Sequence, residues 1–129
     1  MFEAMGSKMI TFLYEAEIAF MKEDYEAALP LYASLKSEAI DISMVGNNYH
    51  ETHLKLGMHQ EGLDLIETFL EQDPMNPMYN YYKSKFEDKL GKSAEAKKTL
   101  MSVLSVFKSA DPRGKDAQKV LAFAKELGL

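Results

Sequence analysis

Apolar residues recur at intervals of three and four along most of this chain, the spacing that places them on one face of an α-helix. No segment shows the sustained alternation of apolar and polar residues that marks a half-buried β-strand. The pattern therefore predicts an all-α fold. We expect helices over residues 7–21, 25–35, 43–56, 59–72, 77–90, 93–107 and 115–127.

Residues that begin or end helices stand between these segments. Gly57 supplies the left-handed residue that ends the third helix, and Asp73-Pro74 stops the fourth. The fifth helix is expected to end at Leu90-Gly91. Asn76-Pro77 predicts a helix start, with a capping side chain followed by proline at the first helical position. Pro30 falls inside the second helix, and we expect it on the outer side because the apolar stripe skips it.

The chain repeats itself at an interval of about 34 residues, a period typical of stacked helical hairpins. Shifting the sequence by this interval brings three kinds of positions into register. These are the turn residues Glu23, Gly57 and Gly91, the small residues Ala28, Gly62 and Ala96, and the larger apolar sets Tyr32, Ile66, Leu100 and Leu35, Phe69, Val103. A small residue lets the two helices of a hairpin approach closely, and the larger residues fill the space toward the next hairpin. Because one hairpin cannot bury its stripe alone, the pattern predicts a stack of hairpins.

This spacing and residue pattern resemble the tetratricopeptide repeat (TPR) family: a turn, a small residue, a bulky residue and then Asp-Pro. The resemblance implies a right-handed superhelical stack of three helical hairpins over residues 9–42, 43–76 and 77–110. Residues 1–8 would form an N-terminal extension, and residues 111–129 a C-terminal capping helix.

The chain departs from the family pattern in the first helices of its units. The aromatic residue expected early in each unit is Phe12 in the first unit, but Gly46 and Asn80 stand at that position in the other two. In the third unit Lys83 and Glu87 occupy usually apolar positions, and the apolar stripe is formed instead by Tyr79, Tyr82, Phe86 and Leu90. We therefore expect this helix to be rotated about its axis.

The resemblance implies a partner-binding groove on the concave surface, lined by the first helix of each unit. Carried over by alignment, the first unit contributes Ile10, Leu13, Tyr14, Glu17, Phe20 and Met21, the second Met44, Asn47, Asn48, Glu51 and Lys55, and the third Met78, Tyr81, Tyr82, Lys85 and Lys89. Methionine and tyrosine give large, adaptable contact area to the apolar anchors of a peptide. The alternative is that several of these residues complete the core or mediate self-association.

A groove of the carboxylate-clamp type is not expected. In this family that clamp grips acidic C-terminal tails and needs basic residues in the first and third units and asparagines in the first and second. Only Asn48 matches, and the other positions hold Leu13, Glu17, Met78 and Tyr82.

Three histidines, His50, His53 and His59, invite a metal-binding interpretation. His50 and His53 are three residues apart on one predicted helix, but the local sequence His-Glu-Thr-His is not the His-Glu-x-x-His of zinc proteases. Their equivalents in the other units are helix-packing positions. We therefore expect structural or surface histidines and no metal site.

Composition excludes several classes of function. The 129 residues contain no cysteine, so disulfides and thiolate chemistry are impossible. Residues 1–82 hold 14 Asp/Glu against 4 Lys/Arg, whereas residues 83–129 hold 6 against 11, for a net charge of −5. The acidic balance disfavours nucleic-acid binding. No apolar run is long enough to span a membrane, and the start does not read as a secretory signal.

Three hypotheses for function follow, all without a cofactor and none enzymatic, since no phosphate loop or nucleophile–base signature is present. The first is a cytoplasmic adaptor that binds a segment of another protein in the concave groove. A narrower alternative is a chaperone that resembles the small acidic three-repeat chaperones of type III secretion translocators. The third is an assembly subunit that self-associates weakly through its oppositely charged ends.

Overall fold

A computed structural model describes the backbone of residues 2–37 and 47–129 and the side chains of residues 10–35 and 47–129. Every regular element within these residues is a helix, which confirms the all-α prediction. The helices are α1 (Phe2–Met21), α2 (Tyr25–Ser37), α3 (Asn48–Lys55), α4 (His59–Gln72), α5 (Pro77–Lys89), α6 (Ser93–Met101), α7 (Leu104–Lys108) and α8 (Lys115–Glu126). They form two compact units, Met1–Met58 and His59–Leu129.

Unit 1, which contains α1 to α3, is built on a helical hairpin. Helix α1 packs along α2, and α3 packs mainly on α2. The buried apolar side chains described there are Ala16, Ala28, Tyr32, Leu35 and Tyr49. The rings of Tyr32 and Tyr49 stack with centroids 5.5 Å apart, which joins α2 to α3.

Unit 2 is built around α5, which packs against α4 and α6 and also contacts α7. Helix α8 packs on α7 and reaches α5 through an edge-to-face contact of Tyr81 with Phe123, at 5.8 Å between centroids. Ile66, Phe86, Leu100, Val103 and Val120 are among its buried apolar side chains.

The turns at Glu23, Gly57 and Gly91 share one backbone conformation, with φ of 61°, 71° and 81°. In each, the N–H of the following residue donates to the carbonyl five residues before it, at 2.8, 2.9 and 2.8 Å. These are Schellman closures, which need a left-handed residue at this position. The structure thus confirms the left-handed turn predicted at Gly57, and the same closure recurs at the interval of the sequence repeat.

Several predicted helix boundaries are also confirmed. Helix α4 has the predicted bounds, and Asn76 caps α5 by accepting a 3.0 Å hydrogen bond from the N–H of Tyr79. Pro30 lies on the exposed side of α2, as expected. Helix α1 begins at Phe2 rather than at residue 7. The start predicted for the third helix, at residue 43, lies outside the described residues.

The sixth predicted helix is wrong in one respect, since residues 93–107 form two helices rather than one. The break lies at Ser102 and Val103: Val103 has φ −122° and ψ 1°, away from helical values. The Ser102 hydroxyl donates to the carbonyl of Thr99 at 2.7 Å, and the Val103 N–H bonds only three residues back, to Leu100. These local bonds compete with the helical ladder, although the apolar spacing is that of a continuous helix.

The polar residues that depart from the repeat pattern in α5 are held by hydrogen bonds. Asn80 donates to the carbonyls of Pro74 and Asn76, at 3.0 and 2.9 Å, and Glu87 accepts from the Thr99 hydroxyl at 2.7 Å. Ser84 is buried and donates to the carbonyl of Ala96 at 2.7 Å. Helix α5 therefore turns the face around Ser84 toward α6. The hydrogen bonds of Asn80 and Glu87 accommodate these polar residues without the helix rotation expected from the sequence.

Replacing Glu23 by glycine should stabilise the protein. A side chain in the left-handed region costs about 1–2 kcal/mol, and the added flexibility of glycine in the unfolded chain offsets part of that gain. We expect a net increase of about 0.5–1 kcal/mol in the free energy of unfolding, measured by urea titration with circular dichroism. Glu26→Gly, inside α2, is the matched control and should destabilise. Equal losses in both variants would contradict the assignment.

Gly62→Ala should destabilise unit 2, because a Cβ at residue 62 would collide with ring atoms of the buried Phe86. Overpacking of this kind costs about 1–3 kcal/mol. Shortening the neighbour should recover part of the loss, so Gly62→Ala with Phe86→Leu should lose less stability than the sum of the two single variants. Additive losses would show that the two residues do not pack together.

Candidate functional site

Helix α1 carries a stripe of large apolar side chains that no other described part of the chain covers. Ile10, Tyr14, Ile18 and Met21 are 55%, 65%, 49% and 80% exposed. At about 100° per residue they fall within about 80° of one another, and they extend for roughly 16 Å along the helix. We call these four residues the α1 stripe.

The α1 stripe lies on the side of the helix away from its packed face. Ala16, which is fully buried, is roughly opposite the stripe on the helical wheel, and α2 is the main neighbour of α1. Leu13 and Phe20, both predicted groove residues, are half-buried at the edge of the packed face, and the Phe20 ring meets Tyr25 edge to face at 5.6 Å. Helix α1 is therefore apolar on two faces, of which only one is used by the described residues of unit 1.

Glu17 lies beside the stripe and joins the three helices of unit 1. Its carboxylate accepts a hydrogen bond from the hydroxyl of Tyr32 and another from Asn48 Nδ2, at 3.0 Å to Oε2. Burial raises the pKa of Tyr32, and the bond to Glu17 and the charge of Glu17 raise it further. Glu17 and Asn48, both predicted groove residues, thus have a structural role, although neither is fully buried.

The other predicted groove residues of the second repeat are on or just before α3. Asn47 and Glu51 are half-buried, and Lys55 is exposed at the end of the helix. Asn47 precedes the helix without capping it through its side chain. Met44 lies outside the described residues.

In unit 2 the structure corrects the predicted groove, because Tyr81 and Tyr82 are each only 1% exposed. Their rings meet at 5.0 Å, Tyr81 contacts Phe123, and Lys119 donates to the Tyr82 hydroxyl at 3.3 Å. Helix α8, which carries Lys119 and Phe123, covers this side of α5. The two tyrosines are core residues and are not accessible to a partner.

The remaining predicted residues of the third repeat surround this core. Lys85 is half-buried with its Nζ 4.6 Å from the centroid of the Phe123 ring, and Lys89 is exposed. Met78 is half-buried and lines an open cleft of about 490 Å³. The other residues of the cleft lie at the start of α5, around α7 and at the start of α8: Asn76, Pro77, Val106, Phe107, Ala110, Asp111, Gly114, Lys115, Asp116 and Ala117.

Two of the three histidines are buried side chains of α3. His50 and His53 are 3% and 5% exposed, and His53 Nδ1 lies 3.0 Å from the carbonyl oxygen of Tyr49. Burial lowers the pKa of His50 to about 3, with a further contribution from the neighbouring His53. Among the described residues, no three His, Asp or Glu side chains are grouped so that they could hold a metal ion.

Ile18 is the member of the stripe that sequence reasoning missed. Its equivalents in the second and third repeats are Thr52 and Phe86, and both are fully buried. The alignment therefore predicts that Ile18 is buried in helix packing. Its helical spacing from Ile10 and Tyr14 is the sequence feature that could have identified it, because the three residues form a second apolar face on the predicted helix.

Comparison with known proteins adds no family assignment: no family model matches the chain, and a search of curated proteins finds no significant match. None of the described helices is both long and apolar enough to cross a membrane.

Burial of His50 should make the protein less stable in mild acid. Its folded-state pKa of about 3 lies below the unfolded value of 6.5, so the unfolded chain binds the proton first as pH falls. The stability contribution is complete above pH 6.5 and is lost progressively toward pH 3. Between pH 7 and 5 we expect a loss of roughly 2 kcal/mol in the free energy of unfolding.

His50→Ala tests this origin, because alanine is the residue at the equivalent position 16 of α1. Urea titrations at pH 7, 6 and 5 should show a smaller decrease in stability for the variant than for the wild type. Equal slopes in the two proteins would mean that another group is responsible.

Proposed function

We propose that this protein is a protein-interaction module of the tetratricopeptide type that binds a segment of a partner protein on helix α1. The observation that carries the proposal is the α1 stripe, in which four large apolar side chains at helical spacing are about half or more exposed. Soluble proteins seldom leave large contiguous apolar surface exposed, and surfaces of this kind commonly serve as binding sites.

The composition of the α1 stripe suits protein recognition. Tyr14 offers a rigid ring with a polar end, and Met21 offers a flexible thioether that adapts to different surfaces. Ile10 and Ile18 add branched aliphatic surface that gives no hydrogen bonds and therefore gains only when it is covered. Such side chains anchor a partner through burial rather than through polar chemistry.

The repeat character of the chain supports the tetratricopeptide part of the proposal. The same turn closure recurs three times at the interval of the sequence repeat, and the small residues Ala28, Gly62 and Ala96 are all buried. Repeats of paired helices provide rigid surfaces on which exposed side chains keep a fixed spacing. Of the groove residues predicted by alignment, the proposal keeps only those on α1, because Tyr81 and Tyr82 of α5 are in the core.

The proposal assigns binding rather than catalysis, without a cofactor, and places the protein in the cytoplasm. A cysteine-free, acidic chain with a repeat pattern suits that compartment, where disulfides are not available for stabilisation.

Photo-crosslinking from the stripe tests the proposal in cells that naturally make the protein. A photoreactive phenylalanine analogue in place of Tyr14 should yield a defined crosslinked partner, because residue 14 lies at the centre of the proposed contact. The matched control carries the same analogue in place of Met101, which is 61% exposed on α6. The proposal fails if the two positions give the same crosslinked species, or if position 14 gives none.

A further inference from the structure

Helices α1 and α5 are each the first helix of a hairpin, so the helices that cover them can be compared. At a shift of two repeats, Tyr14 corresponds to Tyr82, Ala16 to Ser84 and Ile18 to Phe86. Ala16 and Ser84 are both fully buried, so the two helices turn the same face toward their hairpin partners. They differ on the opposite face: Phe86 is 0% exposed, whereas Ile18 is 49% exposed.

What covers Phe86 is helix α4. The Phe86 ring lies so close to Gly62 that a Cβ at that residue would collide with it, and the ring of His59 is 6.4 Å away. Helix α4 thus packs along α5, with a glycine where the Phe86 ring lies. On α1 the described residues leave the equivalent surface around Ile18 exposed. This surface is apolar and lies where a neighbouring helix covers α5.

The charges of α1 and α5 differ at equivalent positions. Helix α5 carries three lysines and two carboxylates, and Lys83 and Lys85 flank Ser84. The equivalent residues of α1 are Glu15 and Glu17, so the charges at these positions are reversed. Helix α4, which packs on α5, carries the carboxylates Glu61, Asp64, Glu67 and Glu71 and no Lys or Arg.

The residues around the α1 stripe also carry a net negative charge. Residues 10–26 hold five carboxylates and one lysine, and unit 1 holds nine Asp/Glu against four Lys/Arg. Unit 2 holds eleven of each. A field of this kind attracts positively charged segments and repels acidic ones, at a distance set by the salt concentration.

From these observations we infer that the α1 stripe binds an amphipathic helix of another protein, whose apolar face is flanked by lysine or arginine. This inference rests on the proposed function and names its partner class. The helix covers Ile18 as α4 covers Phe86, with small residues near Ile18, and extends along the stripe over about three turns. Side chains of Lys or Arg at its edges face the acidic surroundings of the stripe, of which Glu15 is exposed beside Ile18.

A second copy of this chain fits the surface less well. Two α1 helices placed face to face would bring two acidic surfaces together, which is unfavourable. Among the described helices α5 and α8 carry the most lysines, three each, but their apolar residues, among them Phe86, Val120 and Phe123, are buried within unit 2. The described helices therefore offer no free basic amphipathic face to another copy.

Synthetic peptides derived from α4 provide the probe. One peptide has the sequence of residues 59–72 with lysine in place of Glu61, Asp64, Glu67 and Glu71, and a second keeps the native acidic sequence. A third is the lysine peptide with serine in place of Leu63 and Ile66. Fluorescence anisotropy should show that the lysine peptide binds about tenfold or more tightly than either of the others, and that added salt weakens its binding.

Variants of the protein locate the binding. Tyr14→Ser with Ile18→Ser should weaken binding of the lysine peptide about tenfold or more, because it removes the apolar contact. The matched control, Met101→Ser with Val106→Ser, changes two exposed apolar residues elsewhere and should leave the affinity unchanged. Glu15→Gln should reduce the salt dependence, because it removes one exposed carboxylate beside the stripe.

Three outcomes would overturn the inference: equal affinity for the lysine and acidic peptides, lysine-peptide binding that is insensitive to the Tyr14 and Ile18 changes, or a stripe-dependent dimer in sedimentation experiments with no peptide binding. The proposed function is judged separately by crosslinking at residue 14. A crosslinked partner together with no preference for the lysine peptide would refute the charge assignment alone. Absence of any crosslinked partner would refute the proposed function itself.

Discussion

The close contact of paired helices is the constraint on which this structure depends. Most of the described helices are only a few turns long, and isolated helices of that length are marginal in water, so each must bury its apolar face on a neighbour. Close approach needs small residues at the contacts, and Ala28, Gly62 and Ala96 supply them at a constant interval. The closeness is measurable at Gly62, where the ring of Phe86 occupies the space that a methyl group would need. Turn chemistry and burial in both units follow from this requirement.

Among the residues that the structure describes, helix α1 is packed on only one of its two apolar faces, and this is why we propose a binding function there. Its packed face contacts α2, and its polar residue Glu17 is tied to Tyr32 and Asn48, so the helix is fixed in unit 1. The opposite face leaves Tyr14 and Ile18 exposed. A rigid helix with an uncovered apolar stripe loses little conformational entropy when it binds, because the contact surface is already in place.

The sequence predicts several helix boundaries and turns well, since these depend on local chemistry. Gly57, the bounds of α4 and the Asn76 cap each follow from residues that are adjacent in the chain. The break at Val103 was not predictable from apolar spacing, because a continuous and an interrupted helix place the same residues inward. The left-handed turn at Glu23 can be predicted only from its alignment with Gly57 and Gly91, because glutamate itself does not favour that conformation.

The candidate site was harder to predict, because exposure depends on neighbours that the sequence pattern does not specify. Tyr14 and Tyr82 occupy equivalent repeat positions, yet one is 65% exposed and the other is covered by α8. Alignment alone treats both as groove residues. Only the placement of α8 over α5, and the surface of α1 that the described residues leave open, separates a core tyrosine from an exposed one.

Methyl NMR of the isoleucines tests the central claim, that partners bind on the α1 stripe, most directly. Ile10 and Ile18 report on the stripe, and the fully buried Ile66 of α4 reports on unit 2. When the lysine-substituted α4 peptide is added, the account predicts that the methyl signals of Ile10 and Ile18 shift and that the signal of Ile66 does not. A shift of Ile66 with Ile10 and Ile18 unchanged would contradict it.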